Sequence, residues 1–290
     1  MPESGTTPES QQPVRESFGS RLAAAMVDRG PLCVGIDPHP SLLADWGLND
    51  DVAGLERFSL TVVEAVASLA AAVKPQVALY ERHGSAGMAV LERTLAASTE
   101  AGVLSIADAK RGDIGSTMAA YADAWLRDGS ALAADSVTLS PYLGFESLRP
   151  ALDLAAQYGR GVFVLALTSN PEGKSVQHVG GSDSVARRIV AEATAENGRY
   201  EGSLGSVGLV VGATIGSALR DLDIDLGPVR GAILAPGLGA QGATPADLRA
   251  TFGSAYPAVL ATSSRGILAA GPTAAALRSA AEETLAGLLS

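Results

Sequence analysis

The sequence predicts a (β/α)8 barrel forming one catalytic domain, and three observations predict it. Eight short apolar runs recur along the 290 residues. Most are separated by helix-like segments of about ten or more residues, the length a parallel crossover needs. Polar and charged residues gather where the runs end, the catalytic face of such a barrel. The candidate strands are 31–37 (PLCVGID), 72–80 (AVKPQVALY), 103–109 (VLSIADA) and 135–140 (DSVTLS). They continue with 161–168 (GVFVLALT), 207–213 (VGLVVGA), 231–236 (GAILAP) and 258–263 (AVLATS). The helical segments are 17–29, 52–70, 86–101, 117–129, 145–158, 182–197, 245–253 and 273–288. Eight units favour a closed barrel over an open doubly wound sheet.

Composition agrees. Hydrophobic residues make up 47% and charged residues 18%, enough for a large core and too little charge for a disordered chain. The formal net charge of −10 argues against a nucleic-acid partner, but a few local cations could still hold a small anion. The one cysteine, Cys33, lies in the apolar run LCVGI and is expected to be a buried core thiol. With no second cysteine to pair with, a reducing compartment, the cytoplasm, is expected. His39, His83 and His178 are too far apart for metal-ligand spacing, so no metal is expected. No apolar stretch is long enough for a membrane span. Residues 1–16 lack the marks of a signal peptide and are expected to be a disordered tail, with the catalytic domain over 17–290. Segment 169–184 (SNPEGKSVQHVGGSDS) reads as a polar surface excursion or lid. Trp46 and Trp125 are expected to pack at surfaces or an interface.

Asp37, Lys74, Asp108, Lys110, Ser140, Thr168, Thr214 and Arg265 lie at or just past strand ends. One such residue means little, because strands often end in a polar residue that caps the next helix. Their coincidence on most strands is the signal. The densest piece is DAKRGDIGST (108–117), with four charges in six positions. A charge run is ordinarily a solvated loop. If the strand persists through Lys110, however, its period of two puts Asp108 and Lys110 on one face, pointing into the barrel mouth. Burying such a set requires opposite charges to pair, which suggests tuned chemistry.

The pattern D-x-K-x-x-D followed by I-x-x-T resembles the signature of the orotidine 5'-phosphate decarboxylases. Asp37 in CVGIDP, Lys74 in VKPQ, the loop PGLGAQG (236–242) and Arg265 in SSRGI extend the likeness over residues 18 to 288. The KPQ...YE pattern and SPYLG (140–144) look most like the longer, second-type bacterial branch. The resemblance implies cofactor-free decarboxylation of orotidine 5'-monophosphate to UMP in pyrimidine biosynthesis by a homodimer with shared active sites. It implies that Lys74, Asp108, Lys110 and Asp113 form an alternating charge network, with Asp113 entering the neighbouring subunit's site. Lys110 would donate the proton to C6. Asp37, Lys74 and the partner-directed Thr117 would contact the ribose hydroxyls, and Ser140 the pyrimidine, although alternation puts Thr138 on the same face. Gln241 and Arg265 would hold the phosphate, with the Gly266 N–H adding a donor. Pro236 would pack beside the base, and Gln76 would support the network.

Competing readings are weaker. PGLGAQG contains a formal G-x-G-x-x-G, but no acidic residue follows about 20 positions on and the remaining chain is too short for a dinucleotide domain. The glycine-rich turn in GLVVGATIGSAL (208–219) reads either as part of the phosphate enclosure or as a plain tight turn. A metal-dependent sugar-phosphate decarboxylase or aldolase would share the barrel and a similar motif, but Lys74 stands where an extra acidic ligand is expected. A barrel that only binds nucleotides is disfavoured because no member of the charged set is missing.

Overall fold

The computed structural model describes residues 15–239 and 242–290. Eight parallel strands close in chain order, β8 pairing with β1. In order the elements are α1 (Phe18–Arg29), β1 (Leu32–Ile36), α2 (Pro40–Asp45), α3 (Val52–Val66), β2 (Ala72–Pro75), α4 (Ala78–Glu81), α5 (Gly84–Glu100) and β3 (Leu104–Arg111). Next come α6 (Gly115–Leu126), β4 (Ser136–Leu139), α7 (Arg149–Gln157), β5 (Gly161–Leu167), α8 (Lys174–Gln177), α9 (Val185–Asn197) and β6 (Gly205–Val211). The chain ends with α10 (Ala218–Asp221), β7 (Gly231–Pro236), α11 (Pro245–Phe252), β8 (Val259–Ser263), α12 (Arg265–Leu268) and α13 (Ala274–Leu289).

Helix starts follow local chemistry. Asp51 accepts from Gly54 N at the head of α3, and Thr244 with Asp247 forms a capping box at α11, where Pro245 occupies the first turn. Along α3, Leu55, Phe58, Val62 and Val66 recur at helical spacing and are all fully buried. Such stripes fill the layer between helices and strands. A second core lies inside the barrel, where Cys33, Ile106, Phe163, Leu234 and Leu260 meet. Helix α1 plugs its amino end: the Phe18 ring meets Phe163 edge-on at 5.9 Å. Gly161 leaves room for that ring, since a Cβ there would lie 2.1 Å from Phe18. Arg21 ties the plug to Asp135 at 2.5 Å. With the bottom sealed, the carboxyl ends of the strands form the one open mouth among the described residues.

Several boundaries differ from expectation. The second strand stops at Pro75 rather than residue 80, and the VALY segment turns helical. Helical spacing buries both Val77 and Tyr80, whereas strand alternation would place them on opposite faces. The Tyr80 hydroxyl also bonds Ser59 at 2.8 Å. The 169–184 excursion is not structureless: it holds α8 and two 3-10 turns. Gln177 in α8 clamps Thr168, accepting from its N–H at 2.9 Å and donating to its hydroxyl at 2.8 Å. Trp46 and Trp125 belong to the core: both are nearly fully buried, and Trp46 donates to Leu268 O at 2.9 Å. The expected tail lies outside the described residues up to position 14, but Arg15 already pairs with Asp128 at 3.0 Å.

Candidate active site

At the mouth, side chains from most strands enclose a cavity of about 500 Å³. Leu165, Val210 and Leu234 give it an apolar floor. Asp37, Lys74, Gln76, Asp108, Lys110, Pro236 and Arg265, seven of the anticipated residues, line it.

Asp108 is its electrostatic centre. Lys74 Nζ and Gln76 Nε2 reach Oδ2 at 2.7 and 3.1 Å, while Lys110 Nζ and the Thr138 hydroxyl reach Oδ1 at 2.6 and 2.9 Å. Four donors converge on one carboxylate, about its full capacity. Burial alone would push this carboxyl up, but Lys74 and Lys110 outweigh burial and hold it well below the usual carboxylate range. Burial likewise works against the Lys74 charge, and the Asp108 and Asp37 carboxylates more than reverse it, keeping the ammonium protonated above its ordinary range.

These shifts have a stability consequence. A carboxyl lowered on folding stabilises the fold above its unfolded value of about 3.9, and that contribution disappears as pH falls through the folded value. A raised lysine contributes below about 10.4 and loses its contribution as pH rises through its folded value. Asp108→Asn should therefore cost about 3–5 kcal/mol at neutral pH, because Lys74 is left buried without its carboxylate. It should also remove the Asp108 share of the acid-side decline. Urea unfolding at neutral and acidic pH checks both, and an unchanged midpoint at neutral pH would contradict the assignment.

Asp37, just past β1, accepts from the Ser264 hydroxyl through Oδ2. Its Oδ1 is buried without a hydrogen-bond partner among the described residues. Thr262 Oγ1 is equally buried and unpartnered, and it lines the same cavity. Two unsatisfied oxygens in one polar cavity mark places for a ligand's polar groups. Sequence reasoning missed Thr262, although the period-two face Leu260, Thr262, Ser264 could have shown it. It also missed His39, at the rim of the cavity. Cys33 is a buried core thiol as expected, and burial pushes it up to about 12.

Arg265 is exposed at the start of α12 and has no ion-pair partner among the described residues. Gly266 lies beside it, exposed in the same turn. Gln241 lies outside the described residues. Thr214 is exposed and is not among the residues that line the cavity. Ser140 faces an adjoining cavity of about 560 Å³ shared with Lys110, Leu165 and Thr168. Asp113 and Thr117 are not brought to this chain's own cavity: Asp113 bonds Ile114 N at 2.8 Å and Thr117 is exposed on α6. Ile114, next to Asp113 in the chain, and Tyr142 and Leu143, just past β4, are large exposed apolar side chains.

A closed parallel barrel with its charges gathered at the strands' carboxyl ends is the architecture of a barrel enzyme. The chain belongs to the orotidine 5'-phosphate decarboxylase / HUMPS family, whose sequence model matches residues 30–280. It is 59% identical over 273 residues to the orotidine 5'-phosphate decarboxylase of Salinispora arenicola, covering 93% of this chain and 96% of that one. It resembles a crystal structure assigned to orotidine 5'-phosphate decarboxylase from Streptomyces avermitilis, with TM-score 0.91, 57% identity and 98% of each chain covered. It also resembles the OMP decarboxylase structure from Leishmania donovani, with TM-score 0.72 and 30% identity over 94% of this chain and all of that one (100%).

Proposed function

We propose that this cavity removes CO2 from orotidine 5'-monophosphate to give UMP, a step of pyrimidine biosynthesis, with no metal or organic cofactor. The observation that carries the reading is the Asp108 carboxylate held between two lysines at the mouth of a barrel in this family. The C6–carboxylate bond breaks and its electron pair stays on C6, where the pyrimidine ring delocalises it poorly. The Lys110 ammonium stands where that charge develops and then transfers a proton to C6. Proton donation alone contributes roughly 10²–10⁴-fold, whereas difficult reactions demand up to roughly 10¹⁷-fold. The larger part comes from a cation already in place, with its partner fixed, before the charge appears. Asp108 orients both lysines and repels a substrate carboxylate placed beside it.

Asp37 Oδ1, with Lys74, takes the ribose hydroxyls. Pro236 packs beside the base. Ser140 takes the pyrimidine rather than Thr138, because the Thr138 hydroxyl already donates to Asp108 and accepts from Lys110 N at 2.9 Å. Arg265, Gln241 and the Gly266 N–H bind the phosphate. Asp113 and Thr117 serve a second copy of the chain, and the exposed Ile114, Tyr142 and Leu143 give that copy an apolar surface to cover. The buried, unpaired Cys33 suits a reducing compartment, and we place the enzyme in the cytoplasm. Among the described residues no helix is long and apolar enough to cross a membrane.

The test is UMP formation from orotidine 5'-monophosphate after exhaustive dialysis against a chelator. The rate should be unchanged. Turnover of a sugar phosphate that returns only with Mg²⁺ or Zn²⁺ would assign the site to metal-dependent chemistry instead, and binding without turnover would reduce the barrel to a nucleotide binder.

A further inference from the structure

Lys110 has φ +49°, a left-handed backbone that side-chain-bearing residues rarely adopt. The cause is a break in the β3–β4 ladder. Ala107 pairs with Val137 and Arg111 with Leu139, so β3 takes four steps where β4 takes two. The irregularity aims the Lys110 side chain at Asp108, and something must hold it, because strained backbone persists only where its surroundings over-determine it. On one side the Thr138 hydroxyl accepts from Lys110 N. On the other side stands Arg111. Its Nη1 donates to Ala109 O at 3.0 Å, across the residue that precedes Lys110. Its Nη2 pairs with Glu81 of α4. Its guanidinium lies over the rings of Tyr121 and Trp125 of α6, 5.7 and 5.8 Å from their centroids. Its carbonyl accepts from Ser140 N at 2.7 Å.

We propose that Arg111 is a positioning residue for Lys110: its guanidinium, held by Glu81 and two aromatic rings, locks the bulge that presents the Lys110 ammonium to the substrate. Arg111 does not line the main cavity. It acts on the reaction through the Lys110 backbone, and it rests on the reading of Lys110 given above. The residue types suit the task, since a planar fork can bond a carbonyl and a carboxylate while stacking on rings, and an ammonium cannot.

The experiment compares Arg111→Ala, Arg111→Lys and Glu81→Ala with the unaltered protein, using orotidine 5'-monophosphate for kinetics and UMP binding stoichiometry to count folded sites. Because a displacement of about 1 Å can cost on the order of 10²-fold in rate, Arg111→Ala should lower kcat per UMP-binding site by about that factor. KM should change by no more than about threefold, because the groups that hold the nucleotide are on other strands. Arg111→Lys should recover only a small part of the loss. Guanidinium ion should restore part of the Arg111→Ala rate, and sodium at equal ionic strength should not. Glu81→Ala, an exposed change that leaves the core untouched, should lower kcat in the same way by a smaller factor and decides the matter if Arg111→Ala yields no folded sites. Wild-type kcat in folded Arg111→Ala or in Glu81→Ala overturns the proposal, as does a loss confined to KM or full rescue by lysine. Failure of the Lys110 reading is seen separately, as undiminished turnover by Lys110→Ala.

Discussion

Chains carrying Lys110→Ala and chains carrying Asp113→Ala, each nearly inactive alone, should regain turnover when mixed. Asp108 and Lys110 belong to the cavity of their own chain, while Asp113, three residues beyond Lys110, does not line it. The turn after β3 carries Asp113 and the exposed Ile114 away from that cavity, and Thr117 follows, exposed, in the first turn of α6. If two copies meet there by a two-fold axis, each contributes Asp113 to the other's site. A mixed dimer then has one site with both lesions and one with neither. With free exchange between equal amounts, roughly a quarter of all sites are intact, which sets the expected recovery. Steady-state UMP formation, measured alongside a tag-based count of heterodimers, gives the answer. Heterodimers without activity would rule out a shared site and return Asp113 to the role of a loop residue.

Arg265→Ala should lower kcat/KM by about 10²-fold or more, the equivalent of losing one or two charge-assisted bonds worth roughly 1.5–3 kcal/mol each. Arg265 sits past β8 at the cavity rim, exposed and without an ion-pair partner among the described residues, so its charge is not already committed to a nearby carboxylate. Its fork of N–H groups suits two phosphate oxygens. If binding energy from this remote group serves to close the site and align the Lys74–Asp108–Lys110 network, its loss must slow the chemical step as well as weaken binding. With a phosphate-free substrate, added phosphite should then partly restore turnover in the unaltered enzyme and much less in Arg265→Ala. An unchanged kcat/KM in folded Arg265→Ala would remove the proposed phosphate role.

How far the site was legible depended on the kind of information each residue required. Asp108 and Lys110 were readable because they lie two apart after an apolar run, and the structure does bring them together. The means differ from simple alternation: a bulge and a left-handed Lys110 aim the lysine, and no period-two count can show either. Gln76 was readable for the same local reason, two positions beyond Lys74, and its amide does bond Asp108. Thr138 could not be separated from Ser140 by alternation, because the difference lies in a hydroxyl already bonded to the neighbouring strand. The end of β2 was misread because VALY suits strand and helix alike, and burial of Val77 and Tyr80 decided it.

The sequence by itself determined the barrel, the order of its elements, the end where the charges gather, and the charged motif, because these follow from local periodicity and from composition at strand ends. Only the tertiary structure decided which side chains face one another. Asp37 receives the hydroxyl of Ser264, 227 positions away, and Thr262, with its buried oxygen, lines the cavity floored by β5, β6 and β7. Such meetings arise when β8 closes on β1, and closure is a property of the whole sheet that no window of residues contains.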